Sequence, residues 1–454
     1  MNSMKQFITW ILRLLTGAVF IFSGFVKSVD PWGTIYKMED YMAALHMPVL
    51  RNLIIVFVFL LCAYEFTIGV FLALGCFRRT APIGAALLMA VMLPLTLWIA
   101  ISNPVADCGC FGDAFIISNW ATFWKNIVIS GAIIWLIIYN HRIRWIIRPH
   151  LQWIALLACG AYVAAIGICG YIYQPLIDFR PYAVGTSLIT TEDDSGEEEE
   201  EYQLVYEKDG RERIFSIEDE LPSEDDGWTF VRREIRRGTS DDTLPRESEN
   251  VEILSSKDND EPTFRIWSQD GDEDITEDAL TGEGGEILLL MPDLADVSVS
   301  TTWQINSLYT WAQTHDITMI GVVSATQSQI DEWRDISLAS YPIYTAEDTE
   351  IKMIARGNPA VVYLQDGIIK WKTTLRALGT EDFQAAGASD DPMKYRRNDQ
   401  ALLYNTTALY IAFMVMLIGL SFFPEIRRFF PSSKLNRGDR GDHEESTHHD
   451  KSVR

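Results

Sequence analysis

Beyond residue 169 this chain of 454 residues contains no cysteine. The long polar stretch that follows has no thiols of its own and is no disulfide scaffold. All six cysteines (Cys62, Cys76, Cys108, Cys110, Cys159 and Cys169) lie in the first, apolar part. Positive charge is the second shortage: 38 Lys and Arg stand against 62 Asp and Glu, a formal net charge of −24. Phosphate recognition needs clustered Lys and Arg, so this balance argues against a nucleic acid partner. The average conceals a division. Residues 1–175 are mostly apolar, whereas residues from about 186 to 285 are crowded with Asp and Glu.

The first part is rich in hydrophobic runs. A bilayer crossing takes about 20 apolar residues, and five stretches qualify, roughly 7–26, 52–75, 82–101, 120–140 and 152–173. A sixth runs from about 403 to 423. Arg13 interrupts the first run and no small-residue cleavage site follows it, so it reads as a retained membrane helix rather than a signal peptide. Positive loops stay in the cytoplasm. Arg78 and Arg79, then Arg142, Arg144 and Arg148, then Arg427, Arg428, Lys434, Arg437 and Arg440 mark three such loops. Placing all three inside a cytoplasmic membrane puts both termini in the cytoplasm and residues 175–402 outside. Trp120, Trp124, Trp145 and Trp153 fit interfacial belts.

The run Asp107-Cys108-Gly109-Cys110-Phe111-Gly112-Asp113 joins the third and fourth spans and faces outward on this topology. Outside is an oxidising compartment, where disulfides persist. Two cysteines with one residue between them close a small, strained ring, and strain raises the reduction potential. Gly109 gives the backbone freedom such a ring needs. Three readings stay open: a redox pair, a structural clip or two free thiols in a tight turn, and half of a metal site. No nearby His completes the last. Cys62 and Cys169 are the candidate redox partners for a relay. Charges within spans are costly and tend to be paired or functional. Arg13 could pair with Glu65; Lys27 could snorkel at the outer end of the first span, with Asp30-Pro31 starting a turn. Alternatively these charges form a proton or quinone pocket beneath the cysteine loop.

The strings Arg13-Leu-Leu-Thr-Gly17, Ser23-Gly24-Phe-Val-Lys27-Ser-Val-Asp30-Pro31 and Cys108-Gly-Cys-Phe-Gly112, with Phe20, Glu65 and Gly69, resemble the MauE/DoxX family over about residues 6–140. The resemblance implies a four-helix membrane domain. It also implies a link to methylamine utilisation, where the MauE branch acts beside a separate thioredoxin-like protein in maturing a disulfide-rich dehydrogenase subunit. DoxD relatives belong to a thiosulfate:quinone oxidoreductase, which makes quinone a candidate cofactor. The implied partners are the lipid bilayer and an extracytoplasmic protein client.

The polar region opens with an acidic run, Glu192 to Glu201, that reads as a linker. A hairpin is expected over 202–216 with its turn at Lys208-Asp209-Gly210, then short strands at 228–235 and 262–267 around a long loop, 238–261. From 285 strands and helices alternate: strands at 286–291 and 317–323, helices at 301–314 and 326–337, and a short helix at 347–356 before Gly357-Asn358-Pro359. Two strands, 360–364 and 368–372, close the pattern. This order resembles a thioredoxin-type domain over roughly 284–378, with Pro359 as the cis-proline candidate. A thioredoxin carries Cys-x-x-Cys after its first core strand; here the segment reads Asp293-Leu294-Ala295-Asp296-Val297-Ser298. Without a thiol this domain can bind, position or shield, but not exchange disulfides.

The expected fold class is a polytopic α-helical membrane domain, a four-helix bundle plus two further spans, with an extracytoplasmic α/β thioredoxin-like domain. The expected divisions are 1–145 (membrane bundle), 146–185 (fifth span and exit), 186–283 (acidic linker and small β region), 284–380 (thioredoxin-like domain), 400–425 (sixth span) and 426–454 (cytoplasmic tail). The functional expectation is thiol–disulfide chemistry at Cys108/Cys110, supported by Arg13, Lys27, Asp30 and Glu65. Its rivals are a non-enzymatic binding module with a structural Cys-Gly-Cys turn and, from the resemblance, a quinone-linked DoxD-like oxidoreductase subunit.

Overall fold

The computed structural model describes residues 2–47, 50–105, 107–188, 201–208, 211–216, 229–236, 264–268, 273–379 and 398–429. The acidic run from 192, the loop 238–261 and most of the tail lie outside these residues. Among the described residues six helices are long and apolar enough to cross a membrane, and each expected span falls on one of them. This is a multi-pass membrane protein.

The membrane helices are α1 (Asn2–Val29), α3 (Arg51–Leu74), α4 (Thr80–Ser102), α5 (Asn119–Ile138), α6 (Gln152–Ile172) and α11 (Asp399–Phe429). Helix α1 packs closely on α3. A Cβ at Gly24 would lie 2.5 Å from the Phe66 amide nitrogen, and one at Gly69 would lie 2.5 Å from that of Ile21. Without a hydrophobic driving force between helices in lipid, such small residues let backbones approach and gain van der Waals contact. α11 docks on α6 through stacked Tyr162 and Tyr410 rings (centroids 4.5 Å apart) and a Tyr162–Thr407 hydroxyl bond of 2.9 Å.

Between the first two spans, residues 31–44 form α2 (Pro31–Ala44), a short helix beyond the end of α1. Asp30 caps it, its Oδ1 accepting from the Gly33 amide at 3.0 Å, and Pro31 occupies the first helical position. Trp32, Ile35 and Tyr36 turn inward and are buried.

Downstream, β1 (Glu201–Lys208), β2 (Arg211–Ser216) and β3 (Thr229–Arg236) form an antiparallel sheet in the order β2-β1-β3. Of the strand expected at 262–267, residues 262 and 263 lie outside the described residues, and 264–267 form no strand: Trp267 makes isolated bridges to Asp274 and Thr345. Its amide donates to the Thr345 carbonyl at 2.8 Å, so the segment is a brace rather than a sheet member. One turn, α7 (Thr276–Ala279), precedes a mixed sheet of β4 (Gly285–Met291), β5 (Thr318–Val323), β6 (Ile343–Thr345), β7 (Ala360–Gln365) and β8 (Ile368–Thr374), in the order β6-β5-β4-β7-β8. β4, β5 and β6 run parallel, and β7 and β8 antiparallel to their neighbours.

The period of two along β4 sorts its side chains between two cores. Ile287, Leu289 and Met291 pack with Ile305, Leu308 and Trp311 of α8 (Thr302–Thr314) and Ile330 and Trp333 of α9 (Gln327–Ser337). Leu288 and Leu290 face Ile351 and Ile354 of α10 (Asp348–Ile354), with Tyr182 and Leu188 of the segment leaving α6. That exit segment also lies along the edge of β8. The Gly185 amide donates to the Ile369 carbonyl at 2.8 Å, and the Ile369 amide returns a bond to Thr186 at 3.0 Å.

Candidate functional site

The connection between α4 and α5 turns sharply because Asn103, Gly109 and Gly112 all take positive φ (48°, 63° and 53°). At Gly109 only glycine does so without strain, and a Cβ there would also press on Lys37 Cγ at 3.2 Å. The loop is tied by its own backbone. Tyr41 of α2 donates to the Cys108 carbonyl at 2.7 Å, and Ser23 of α1 lies 2.8 Å from the Cys110 carbonyl. Lys37 meets Asp107 at 2.5 Å.

Held this way, the Cys108 and Cys110 sulfurs stand 3.0 Å apart as free thiols in contact. Cys108 is buried with Tyr41 and Ile99, while Cys110 is partly exposed. The Cys110 thiol is drawn below its ordinary value, first by the S–H of Cys108, which favours its thiolate, and then by Lys125 and Lys27 acting against burial. The partner moves the other way: giving that hydrogen bond, burial and the Cys110 charge all raise Cys108. The two thiols are therefore pushed in opposite directions, Cys110 toward the thiolate and Cys108 toward the protonated form.

Directly beneath lies a buried ion pair. Lys27 Nζ sits 2.9 and 2.8 Å from the two Glu65 oxygens and 3.0 Å from Ser23 Oγ, with both charged side chains almost wholly excluded from solvent. Ser23 Oγ is also 2.9 Å from Glu65 Oε2. Its single proton thus stands between a carboxylate and the Cys110 carbonyl. This corrects two sequence expectations. Lys27 does not snorkel, and Glu65 pairs with Lys27 rather than Arg13. Arg13 lies near the middle of α1, donating to the Arg144 carbonyl at 2.9 Å and the Ala73 carbonyl at 3.1 Å. One α-helical turn rises only 5.4 Å, so the 14 positions between Arg13 and Lys27 place them about four turns apart.

Asp30 does more than begin a turn. Its Oδ2 receives Arg356 Nη2 at 2.8 Å and Nε at 3.0 Å, and the same guanidinium reaches Asp113 at the end of the cysteine loop. Arg356 comes from the segment between α10 and β7, next to the cis Asn358–Pro359 peptide. It is buried, lies 5.6 Å over the Tyr36 ring, and its backbone exchanges two hydrogen bonds with the Gln174 side chain, at 2.9 and 2.6 Å. Burial works against the Arg356 charge, and the carboxylates of Asp30 and Asp113 more than offset it, so its value is raised. Beside this contact a cleft of about 770 Å³ opens between the sheet domain and the membrane helices, lined by Trp32, Arg51, Asn358, Pro359 and Arg376 among others.

Of the residues singled out in the sequence, the structure brings together Cys108, Cys110, Lys27 and Glu65, with Asp30 at the rim. Cys62 is buried on α3 beside Ser28, within the field of Lys27. Cys169 packs at the edge of the helix core. The sulfur in contact with each loop thiol is the other loop thiol. Among the described residues no three His, Cys, Asp or Glu side chains are grouped to hold a metal ion. Sequence reading missed Ser23, Tyr41 and Arg356. Ser23 carried a usable signal, since Ser23 and Lys27 are one turn apart on the same helix face. Arg356 carried none, because its partners lie 326 and 243 positions away.

No curated protein matches the chain. Residues 200–236, which hold the three-stranded sheet, match a model described only as a domain of unknown function, DUF8463. Residues 5–139, which hold α1 to α5, the ion pair and the cysteine loop, match the family model described as methylamine utilisation protein MauE.

Proposed function

We propose that the protein is a membrane thiol–disulfide exchange centre acting on an extracytoplasmic protein client. The observation that carries this reading is the 3.0 Å contact between the sulfur of a partly exposed Cys110, favoured as thiolate, and that of a buried Cys108. Nucleophile and resolving thiol need that arrangement. The Cys110 thiolate attacks a client disulfide, forming a Cys110–client bond as the client S–S bond breaks; the leaving client sulfur takes a proton. Cys108 then attacks the Cys110 sulfur, closing the Cys108–Cys110 disulfide and releasing the second client thiol. Two electrons pass from the pair to the client; of the two protons that end on the client sulfurs, Cys108 gives one and solvent water the other. Run backwards, the same steps oxidise a client dithiol. The direction follows the two reduction potentials, and a quinone is the candidate membrane acceptor for an oxidising cycle.

The basic loops support placing the cysteine loop and sheet domain outside a cytoplasmic membrane, with both termini inside. The match over α1 to α5 is to a family named for methylamine utilisation; maturation of a client protein is what the resemblance of this membrane part implies. The strand order and the Asn358–Pro359 loop support a thioredoxin-like identity for the sheet domain, whose segment 293–298 has no cysteine and which therefore binds or positions. A second reading, a binding platform with the Cys-Gly-Cys turn as a structural clip, draws on the hydrogen bonds that tie the loop through the Cys108 and Cys110 carbonyls.

Differential alkylation in intact cells separates the two. Exchange predicts a mixed thiol and disulfide population that follows oxidant supply, and Cys108→Ser traps a client on Cys110. A pair that ignores both oxidant and mild reductant identifies the clip.

A further inference from the structure

We propose that Arg356 is the positioning residue through which the thiol-free sheet domain holds the cysteine loop, so that docking of that domain sets how readily Cys108 and Cys110 close into a disulfide. The inference rests on the exchange reading of this pair. It comes from a juxtaposition of three segments distant in sequence. Asp30 ends α1 and caps α2, Asp113 closes the cysteine loop, and one guanidinium from the sheet domain bridges both carboxylates. A planar fork of donors suits two carboxylates in a way that a single ammonium does not.

The bridge is built into the fold. The Arg356 backbone is locked to Gln174 just beyond α6, and the Gly357 amide donates to Tyr36 at 3.2 Å. Sheet domain, exit segment and α2 therefore converge where the loop ends. At the other end of the loop, Asp107 is held by Lys37 of α2. With both acidic ends of the run fixed to α2 and its surroundings, the intervening Cys-Gly-Cys turn has little freedom, and its sulfurs stay in contact. Two reacting groups held near their bonding geometry act at high effective concentration. Freeing one end lowers that concentration and with it the equilibrium share of disulfide.

The test uses the full chain in lipid nanodiscs, equilibrated with reduced and oxidised glutathione at fixed pH. The disulfide-to-dithiol ratio of Cys108–Cys110 is read by alkylation and mass spectrometry. Asp113→Asn is the mild variant, because it leaves Arg356 on Asp30; it is expected to lower the ratio fivefold or more. Arg356→Gln should do the same, and Arg356→Lys should fall between. The Arg356→Gln/Asp113→Asn pair should be no worse than the stronger single variant, since both break one bridge. Asp296→Asn, which removes the more exposed sheet-to-membrane pair with Arg51 and leaves Arg51 on Glu39, should stay within twofold. An exchanging pair indifferent to Asp113→Asn, a higher ratio, or additive effects of the two substitutions overturns the role of Arg356. A wild-type pair that never equilibrates with glutathione overturns the exchange reading and this inference with it.

Discussion

Replacing Lys27 by Met strands the Glu65 carboxylate inside the bundle. In the native protein that carboxylate has two partners, the Lys27 ammonium and the Ser23 hydroxyl, and its side chain is 2% exposed. After the substitution only Ser23 remains, and its one proton is also sought by the Cys110 carbonyl. Removing one member of a buried pair costs about 3–5 kcal/mol, because the survivor keeps its desolvation without its counter-charge. Replacing both members by apolar residues of similar volume removes that penalty. Lys27→Met/Glu65→Leu should therefore recover to within about 2 kcal/mol of wild type. The double-mutant cycle should give a coupling energy of at least about 2 kcal/mol. The assay is reversible unfolding in mixed detergent micelles followed by circular dichroism, with all four forms measured in one micelle composition. A Lys27→Met cost under about 1 kcal/mol, or a double variant no more stable than the single one, refutes the buried pair and the reasoning built on it.

Cys108→Ala removes the thiol that favours the Cys110 thiolate, so the pH profile for alkylation of Cys110 should move upward; Lys125→Gln should move it the same way by less. Gly69→Ala drives a methyl group against Ile21 and the Gly17 carbonyl and should destabilise the bundle by about 1–3 kcal/mol, read as a lower thermal midpoint. Asp178 is lowered by Arg180 and Lys372 against the opposing effect of burial, so its contribution is present above its unfolded value, about 4, and lost as pH falls through its lower folded value. Protection of the exit-segment amides, corrected for the intrinsic pH dependence of exchange, should fall over that acid window and stay level between pH 6 and 7.

The membrane spans were legible because lipid forces whole helices to be apolar, and the strand-and-helix order from 285 was legible because period two and period 3.6 leave different marks. Helix α2 was not, since its apolar residues Trp32, Ile35 and Tyr36 are only part of a short amphipathic face between two spans. The cysteine loop was legible as a motif. Its charge partners were legible as residues but not as pairs: Lys27, Asp30, Arg13 and Glu65 stood out for being costly in lipid, yet the register of α1 against α3 decides which of them meet. Ser23, Tyr41 and Arg356 act through contacts that only the folded chain creates. A serine within a span, or one arginine among many in a polar region, looks the same in sequence whether or not it ends beside a thiol.

The attachment of the sheet domain bears on how a domain without thiols can serve a dithiol loop. Two bodies joined by a slack linker meet at an effective concentration set by linker length, and one weak contact between them is mostly open. Here the chain leaves α6 at Ile172 with almost no slack. Thr374 at the end of β8 donates to the Ile172 carbonyl, Gln174 grips the Arg356 backbone, and residues 185–188 run along the edge of β8. The arginine bridge is therefore made between surfaces already fixed against each other, and little conformational entropy is lost in closing it. Six Gly-Ser residues inserted after Tyr173 should open that geometry without touching a residue of the bridge. Fluorescence energy transfer between the sheet domain and the loop between α5 and α6 should then fall. A transfer efficiency unchanged by the insertion would mean that the bridge and the cleft contacts hold the domain by themselves, and that the short exit merely accompanies them.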